Sequence, residues 1–195
     1  MSADRDIDLA GFADPVMDAQ RCFRSVLDAM ARPGSVHMAG AGLATPPPLD
    51  AATAAVLLTL VDGETPLWLG PRLHVARKWI VFHCGAVCVE DTAMASFVVG
   101  DALPDLAALS AGSHEAPETA ATVIVQVRAL AAGRRYRLHG PGLRDDALLS
   151  GDGLPAEFAA IWADNHARFP RGVDLILCAG SRLTALPRSV AVEDA

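Results

Sequence analysis

The run Thr122 to Leu130 constrains the fold more than any other stretch of the chain. Its centre, Val123-Ile124-Val125, is β-branched and apolar on both faces of a period-2 pattern, which marks an interior strand covered on two sides. A tight connection at Ala132-Gly133 follows, then Arg135 to Gly142. There Tyr136 and Leu138 fall on one face, Arg135, Arg137 and His139 fall on the other, and Gly140-Pro141-Gly142 stops the ladder. The two stretches are expected to pair as a hairpin, with the basic-faced strand nearer an edge. Arg135 and Arg137 would there discourage edge-to-edge association or, alternatively, form an anion site.

Before this hairpin, Asp14-Pro15 reads as an N-cap and first helical residue. Val16, Ala19, Phe23, Val26, Leu27 and Met30 recur at helical spacing up to a stop at Pro33-Gly34, with Asp18, Arg21, Arg24 and Asp28 on the solvated face. Arg32, just before the stop, is placed to cap helix carbonyls or to reach outward. Ser35 to Ala39 reads as a weak strand, Thr45 to Pro48 as a stiff connector, and Asp50 to Val61 as a helix apolar on nearly every side, hence buried. Leu67-Trp68-Leu69 and Ala95 to Val99 read as strands, Leu73 to Phe82 and Leu103 to Leu109 as helices. After Gly142 a polar segment leads to a helix from Leu154-Pro155 that carries Phe158, Ile161, Trp162 and His166 and ends before Pro170. Val173 to Cys178 is a strand, and Arg182 to Val192 finishes the chain with Pro187 inside it. Helices and strands alternate irregularly, which points to a three-layer αβα fold with a mixed β-sheet.

At 195 residues this is expected to be one domain, residues 1–195. The start is acidic and polar without a hydrophobic leader segment, and no apolar run nears the roughly 20 residues that span a bilayer, so the chain reads as soluble and cytoplasmic. A net charge of -7 argues against nucleic-acid or anionic-membrane binding. Cys22 and Cys178 sit in apolar patterns as small buried hydrophobes.

Common catalytic signatures are missing: no phosphate loop, no Gly-x-Gly-x-x-Gly turn, no Gly-x-Ser-x-Gly elbow. The only lysine, Lys78, lies between Arg77 and Trp79 in an expected helix, so pyridoxal phosphate, which needs a Schiff-base lysine, is not expected. His83, Cys84 and Cys88 are the one metal-like cluster, but zinc needs three or four ligands and no second pair stands at the usual spacing; no metal is expected. Asp62 and Glu64 bracket Gly63 and fit either a cation or shared-proton site or plain turn chemistry. His166 on its apolar stripe reads as a core histidine. Arg168 and Arg171 flank Phe169-Pro170 ahead of Asp174, where they suit a phosphate clamp, a subunit interface, or salt bridges to Asp164 and Asp174.

Taken in order, several pieces resemble the PhnH family, the H subunit of the bacterial carbon-phosphorus lyase system for phosphonate breakdown. They are Phe23 to Gly34, Leu57 to Pro66, Phe82 to Gly85, Pro117 to Thr122, Leu138 to Gly142, Arg168 to Asp174 and Leu186 to Arg188. One departure is Cys84, where the family usually has threonine, which weakens a metal role for Cys84 and Cys88. The resemblance implies a fold similar to the large domain of pyridoxal-phosphate transferases without the cofactor, and a homodimer that joins the G, I and J subunits in a core complex. It also implies a part, with the G, I and L proteins, in coupling ATP to an alkylphosphonate with loss of adenine, giving the ribose 1-phosphonate 5-triphosphate. No self-contained activity is implied for the H subunit.

The expected function is therefore that of an accessory subunit of a phosphonate-processing transferase complex, without catalysis of its own. The alternative is an independent enzyme or nucleotide- and phosphonate-binding protein with an anion pocket drawn from Arg32, His83, Arg168 and Arg171. A third, a zinc-dependent hydrolase, would need stoichiometric metal. The candidate ligand or interface residues are Arg32, Asp62, Glu64, His83, Arg168, Arg171 and Asp174.

Overall fold

Asp14 caps the first helix by accepting the Met17 N–H on its side chain at 3.1 Å, and Pro15 presets the first turn, so α1 runs Pro15–Ala31. The computed structural model describes residues 8–143 and 147–195. The apolar arc of α1 is about 160° wide at 100° per residue, more than one contact can cover. Cys22, Val26 and Ala29 turn inward, while Val16, Phe23 and Leu27 remain 76%, 45% and 51% exposed. The expected core stripe is thus only half buried.

The strand β1 (His37–Met38) is followed by α2 (Ala51–Leu60), whose residues Ala52 to Leu57 are all buried, as its uniform apolarity requires. Next come β2 (Leu67–Leu69), a 3-10 segment Pro71–Ala76, α3 (Arg77–Cys84) closed by left-handed Gly85, and β3 (Phe97–Gly100). The expected helix at Leu103 to Leu109 is only one 3-10 turn, Leu106–Ala108. The chain continues through β4 (Thr122–Gln126), β5 (Ala129–His139), β6 (Ala147–Asp152), α4 (Phe158–His166), β7 (Asp174–Ala179), β8 (Arg182–Leu186) and β9 (Ala191–Asp194).

Six strands form the main sheet in the order β1-β8-β7-β4-β3-β2; β2, β3, β4 and β7 are parallel, and β8 and β1 add antiparallel at one side. Ile124, Ile176, Cys178 and Val99 face α1, α2 and α3. Val123, Val125, Leu175 and Leu177 face the other way, onto Phe158 and Trp162 of α4 and Tyr136, Leu138 and Leu149. The mixed sheet of the expected α/β class is therefore present. Its second covering layer is not helical alone, because a three-stranded antiparallel sheet, β6-β5-β9, lies there beside α4.

This corrects the expected hairpin. β4 is interior, as its two apolar faces require, but it pairs with β3 and β7, and the chain crosses to the small sheet at Val127-Arg128. The predicted faces of the basic strand hold, with Tyr136 and Leu138 buried and Arg135, Arg137 and His139 exposed. Its predicted place does not: β5 is the central strand of its sheet, so its arginines guard no edge. The expected polar segment after Gly142 contains β6, and its residues 144–146 lie outside the described residues. The last stretch, Arg182 to Val192, is divided at Pro187 into β8 and β9, which belong to different sheets.

Candidate functional site

The seven candidate residues do not converge on one point; they fall at three junctions where pieces far apart in sequence meet. At the first, Arg32-Pro33-Gly34 abuts Gly140-Pro141-Gly142 and β6. Gly34 has φ +86° with its side facing the Leu148 carbonyl, where a Cβ would come to 2.8 Å, and a Cβ on Gly142 (φ +83°) would overlap the Ala31 carbonyl oxygen. Only glycine permits this approach. Arg32 itself donates its backbone N–H to the Asp28 carbonyl at 3.0 Å and pairs with the Asp28 carboxylate at 2.8 Å, both side chains more than half exposed. An ion pair so hydrated contributes about 1 kcal/mol at most.

At the second junction the turn Asp62 to Thr65 lies against the end of α3, with the Gly63 side 3.6 Å from the Gly85 carbonyl. The Asp62 carboxylate accepts the Glu64 N–H at 2.9 Å and the Thr65 hydroxyl at 3.1 Å. Those bonds, the Glu64 amide first, hold its carboxyl below the ordinary aspartate value. The pattern is turn chemistry, and Glu64 stays exposed. His83 packs its ring 4.6 Å from Trp79 and edge-on to Phe82 at 5.0 Å. Its Nε2 lies 3.0 Å from the Leu9 carbonyl oxygen, which also accepts the Trp79 indole N–H at 2.8 Å. A carbonyl can only accept, so Nε2 carries the hydrogen and His83 fastens the chain ahead of α1 onto α3. Burial, reinforced by neighbouring Cys88, pushes the Cys84 thiol up to about 12, so it is not a thiolate nucleophile near neutral pH. Among the described residues no three His, Cys, Asp or Glu side chains are grouped to hold a metal ion.

The third junction gathers Arg168, Arg171 and Asp174 with Pro117 and Arg188. The register Thr122↔Asp174 places Asp174 at the start of β7 beside β4. Its carboxylate is taken by Arg188, not by Arg168 or Arg171. Arg188 donates Nε to Oδ1 at 3.1 Å, Nη2 to Oδ2, its backbone N–H to Oδ1 at 2.8 Å, and Nη1 to the Pro117 carbonyl at 2.6 Å. The side chains are only 14% and 21% exposed, so this fork ties the strand start, the loop before β4 and the turn after β8 together. Arg168 and Arg171 have no side-chain hydrogen bond or ion pair among the described residues, and the Arg171 Nε is buried without a partner. His166, expected as a core histidine, is only half-buried and reaches the Arg188 carbonyl through Nδ1 at 2.9 Å.

Sequence reasoning gave Arg188 no role beyond its place in Leu186-Pro187-Arg188; its partner is 14 residues away, and only a lone acidic residue opening an apolar strand hinted at the need for one. It also missed a cavity of about 430 Å³ between Ala10 to Ala13, α1 and the small-residue loop Met38 to Ala44. At the carboxyl ends of β4 and β7, a frequent ligand position in α/β sheets, the chain folds back over itself. There Gln126 bridges the Asp50 N–H at 2.7 Å and the Pro48 carbonyl at 3.0 Å, and the Asp50 carboxylate accepts the Gly180 N–H at 3.1 Å. Ser35 Oγ lies 2.8 Å from His37 Nε2, but the hydroxyl gives its proton to the Arg32 carbonyl at 2.6 Å, so the imidazole donates and does not act as its base.

The fold and these junctions define a mixed-sheet α/β protein in which paired sequence pieces are spent on holding elements together and no nucleophile with an oriented base is assembled among the described residues. The profile of the family described as "Bacterial phosphonate metabolism protein (PhnH)" matches residues 10–193, and the chain belongs to that family. It is 40% identical over 198 residues, covering 99% of both chains, to the Rhizobium meliloti (strain 1021) protein named alpha-D-ribose 1-methylphosphonate 5-triphosphate synthase subunit PhnH. It is 33% identical over 171 residues, covering 87% of this chain and 83% of the other, to the putative C-P lyase subunit protein HtxG of Stutzerimonas stutzeri.

Proposed function

We propose that this chain is a subunit of an alkylphosphonate ribose-triphosphate synthase complex in phosphonate breakdown, working by assembly and not by chemistry of its own. The full-length likeness to a protein named as such a subunit supports the pathway. The uncovered arc of α1 carries the assembly reading. Val16, Phe23 and Leu27 stand exposed on one helix face, and separately Val36 and Met38 are exposed at the edge strand β1, which meets α1 through Ser25 on the other flank of the helix. Burying each large apolar side chain would stabilise a complex by roughly 1.5–3 kcal/mol, and an edge strand offers unpaired backbone groups besides. The whole chain acts as one domain, first as a homodimer and then with the G, I and J subunits.

The same reading extends to the fold. The parallel strands with an antiparallel margin, packed between layers, support a relation to the large domain of pyridoxal-phosphate transferases, while the single lysine, Lys78, is exposed on α3 and remote in kind from a Schiff-base residue held inside a site.

Co-expression with the partner subunits followed by size-exclusion chromatography with mass determination tests the proposal. One stable complex is expected, and Phe23→Glu with Leu27→Glu is expected to lower the mass while leaving the circular dichroism unchanged. A chain that elutes alone beside its partners would overturn it.

A further inference from the structure

The turn that carries Arg168 and Arg171 holds two positive charges that no acidic side chain answers among the described residues. The Arg171 N–H bonds the Arg168 carbonyl at 3.0 Å. That closes a four-residue turn and brings the two Cα atoms within about 7 Å, so the side chains leave neighbouring points. The turn is anchored on both sides: the Arg168 N–H bonds the Asn165 carbonyl, the Gly172 N–H bonds the Ala111 carbonyl, and the Asn165 side chain clasps Val173 through both of its backbone groups. Phe169, at the corner between the arginines, is 57% exposed.

Arginines near a carboxylate would normally share it. Here Asp174, the adjacent acid, is occupied by three donors of Arg188, and although the chain has 23 acidic residues none pairs with Arg168 or Arg171 among the described residues. Both side chains are half-buried, and the Arg171 Nε is shut away from water without a partner, so packing fixes that guanidinium where it stands. Two planar cations carried on one closed turn, the Arg171 guanidinium held by packing, match the charge and the fork geometry of a phosphate-class dianion better than a single carboxylate. The overall charge of -7 gives no general attraction for polyanions, so any such binding must come from a local site.

We propose that Arg168 and Arg171 form a binding site for a phosphate-class dianion, with Phe169 offering an apolar surface beside it. This goes beyond the subunit assignment and stands independently of it.

Isothermal titration calorimetry of the purified full-length chain with inorganic phosphate, ATP and, separately, acetate tests the site. Saturable binding of phosphate or ATP is expected, weakening as ionic strength rises. Binding of phosphate alone identifies the free anion as sufficient, and binding of ATP alone identifies a nucleotide as the source of the phosphate; either supports the site. Arg168→Ala and Arg171→Met should each weaken it at least tenfold, and Arg135→Ala, on the small sheet, should not. Arg171→Lys retains the charge should the methionine variant fold poorly, and should weaken binding by losing the fork. Absence of saturable binding to millimolar ligand, equal binding by wild type and the folded variants, or acetate bound as tightly as phosphate would overturn the proposal. Failure of co-purification with partner subunits would leave it standing, and loss of phosphate binding would leave the subunit reading standing.

Discussion

Replacing Arg188 by methionine should be among the most damaging single changes outside the apolar core. The guanidinium makes two bonds to the Asp174 carboxylate and one to the Pro117 carbonyl, from a position only 14% exposed. Methionine keeps much of the stem but leaves Asp174 with the backbone N–H of residue 188 as its only remaining donor among the described residues. Breaking a fully buried pair costs about 3–5 kcal/mol and an exposed one 1 kcal/mol or less. With both groups mostly buried and some water able to re-enter, Arg188→Met should cost about 3 kcal/mol, or roughly 6–12 °C in Tm for a chain of this length. Urea denaturation of Arg188→Met, Asp174→Leu and the double variant measures this. The double variant should recover part of the loss, with a coupling energy of at least about 1 kcal/mol, because two apolar side chains strand no charge. A single-variant loss under about 1 kcal/mol, or a coupling near zero, would refute the assignment of this fork as the tie between β7, the loop before β4 and the turn after β8.

Gly142→Ala should destabilise by about 3 kcal/mol or prevent folding, combining left-handed backbone with overlap on the Ala31 carbonyl. Gly42→Ala, with φ +79° and open space around it, should cost only about 1–2 kcal/mol in the same denaturation experiment. Asp62, whose folded pKa is lowered by the Glu64 amide and the Thr65 hydroxyl, contributes stability that is full above its unfolded value of about 3.9 and lost as pH falls through the lower folded value. The stability difference between wild type and Asp62→Ala should therefore be present at pH 6 and fade in strong acid; a difference constant with pH would contradict it. Burial pushes the Cys178 thiol up to about 12 and removes it from solvent, so Cys178 should resist a thiol reagent at pH 8 until the protein unfolds, as read by mass spectrometry.

Much of the fold was legible wherever local chemistry decides it. Asp14-Pro15 and the stop at Pro33-Gly34 bound α1 closely, and the uniform apolarity of Ala51 to Leu60 told of burial. The hairpin failed for a physical reason present in its own premise. A strand apolar on both faces, such as Val123 to Val125, belongs with parallel neighbours, and parallel neighbours come from crossovers, not from the next strand along. Periodicity showed that α1 has a broad apolar arc but not which half of it the fold covers, since that depends on α2 and β8 packing against Cys22, Val26 and Ala29. The same limit applied at the candidate residues. Asp62 explains itself within four residues, whereas Asp174, Arg188 and Pro117 meet across 71 positions of chain, a distance no local pattern reports. His83 was noticed for its neighbours Cys84 and Cys88, yet its partner is the Leu9 carbonyl, which carries no sequence signal.

We propose that this chain contributes assembly and not catalysis to a phosphonate-processing synthase. The most direct test is to measure the release of adenine from ATP in the presence of methylphosphonate, first with the purified chain alone and then with the G, I and L proteins added. No turnover by the chain alone, and turnover by the set only when the chain is included, is the predicted result. Turnover by the chain in the absence of every partner would show that it is catalytic by itself.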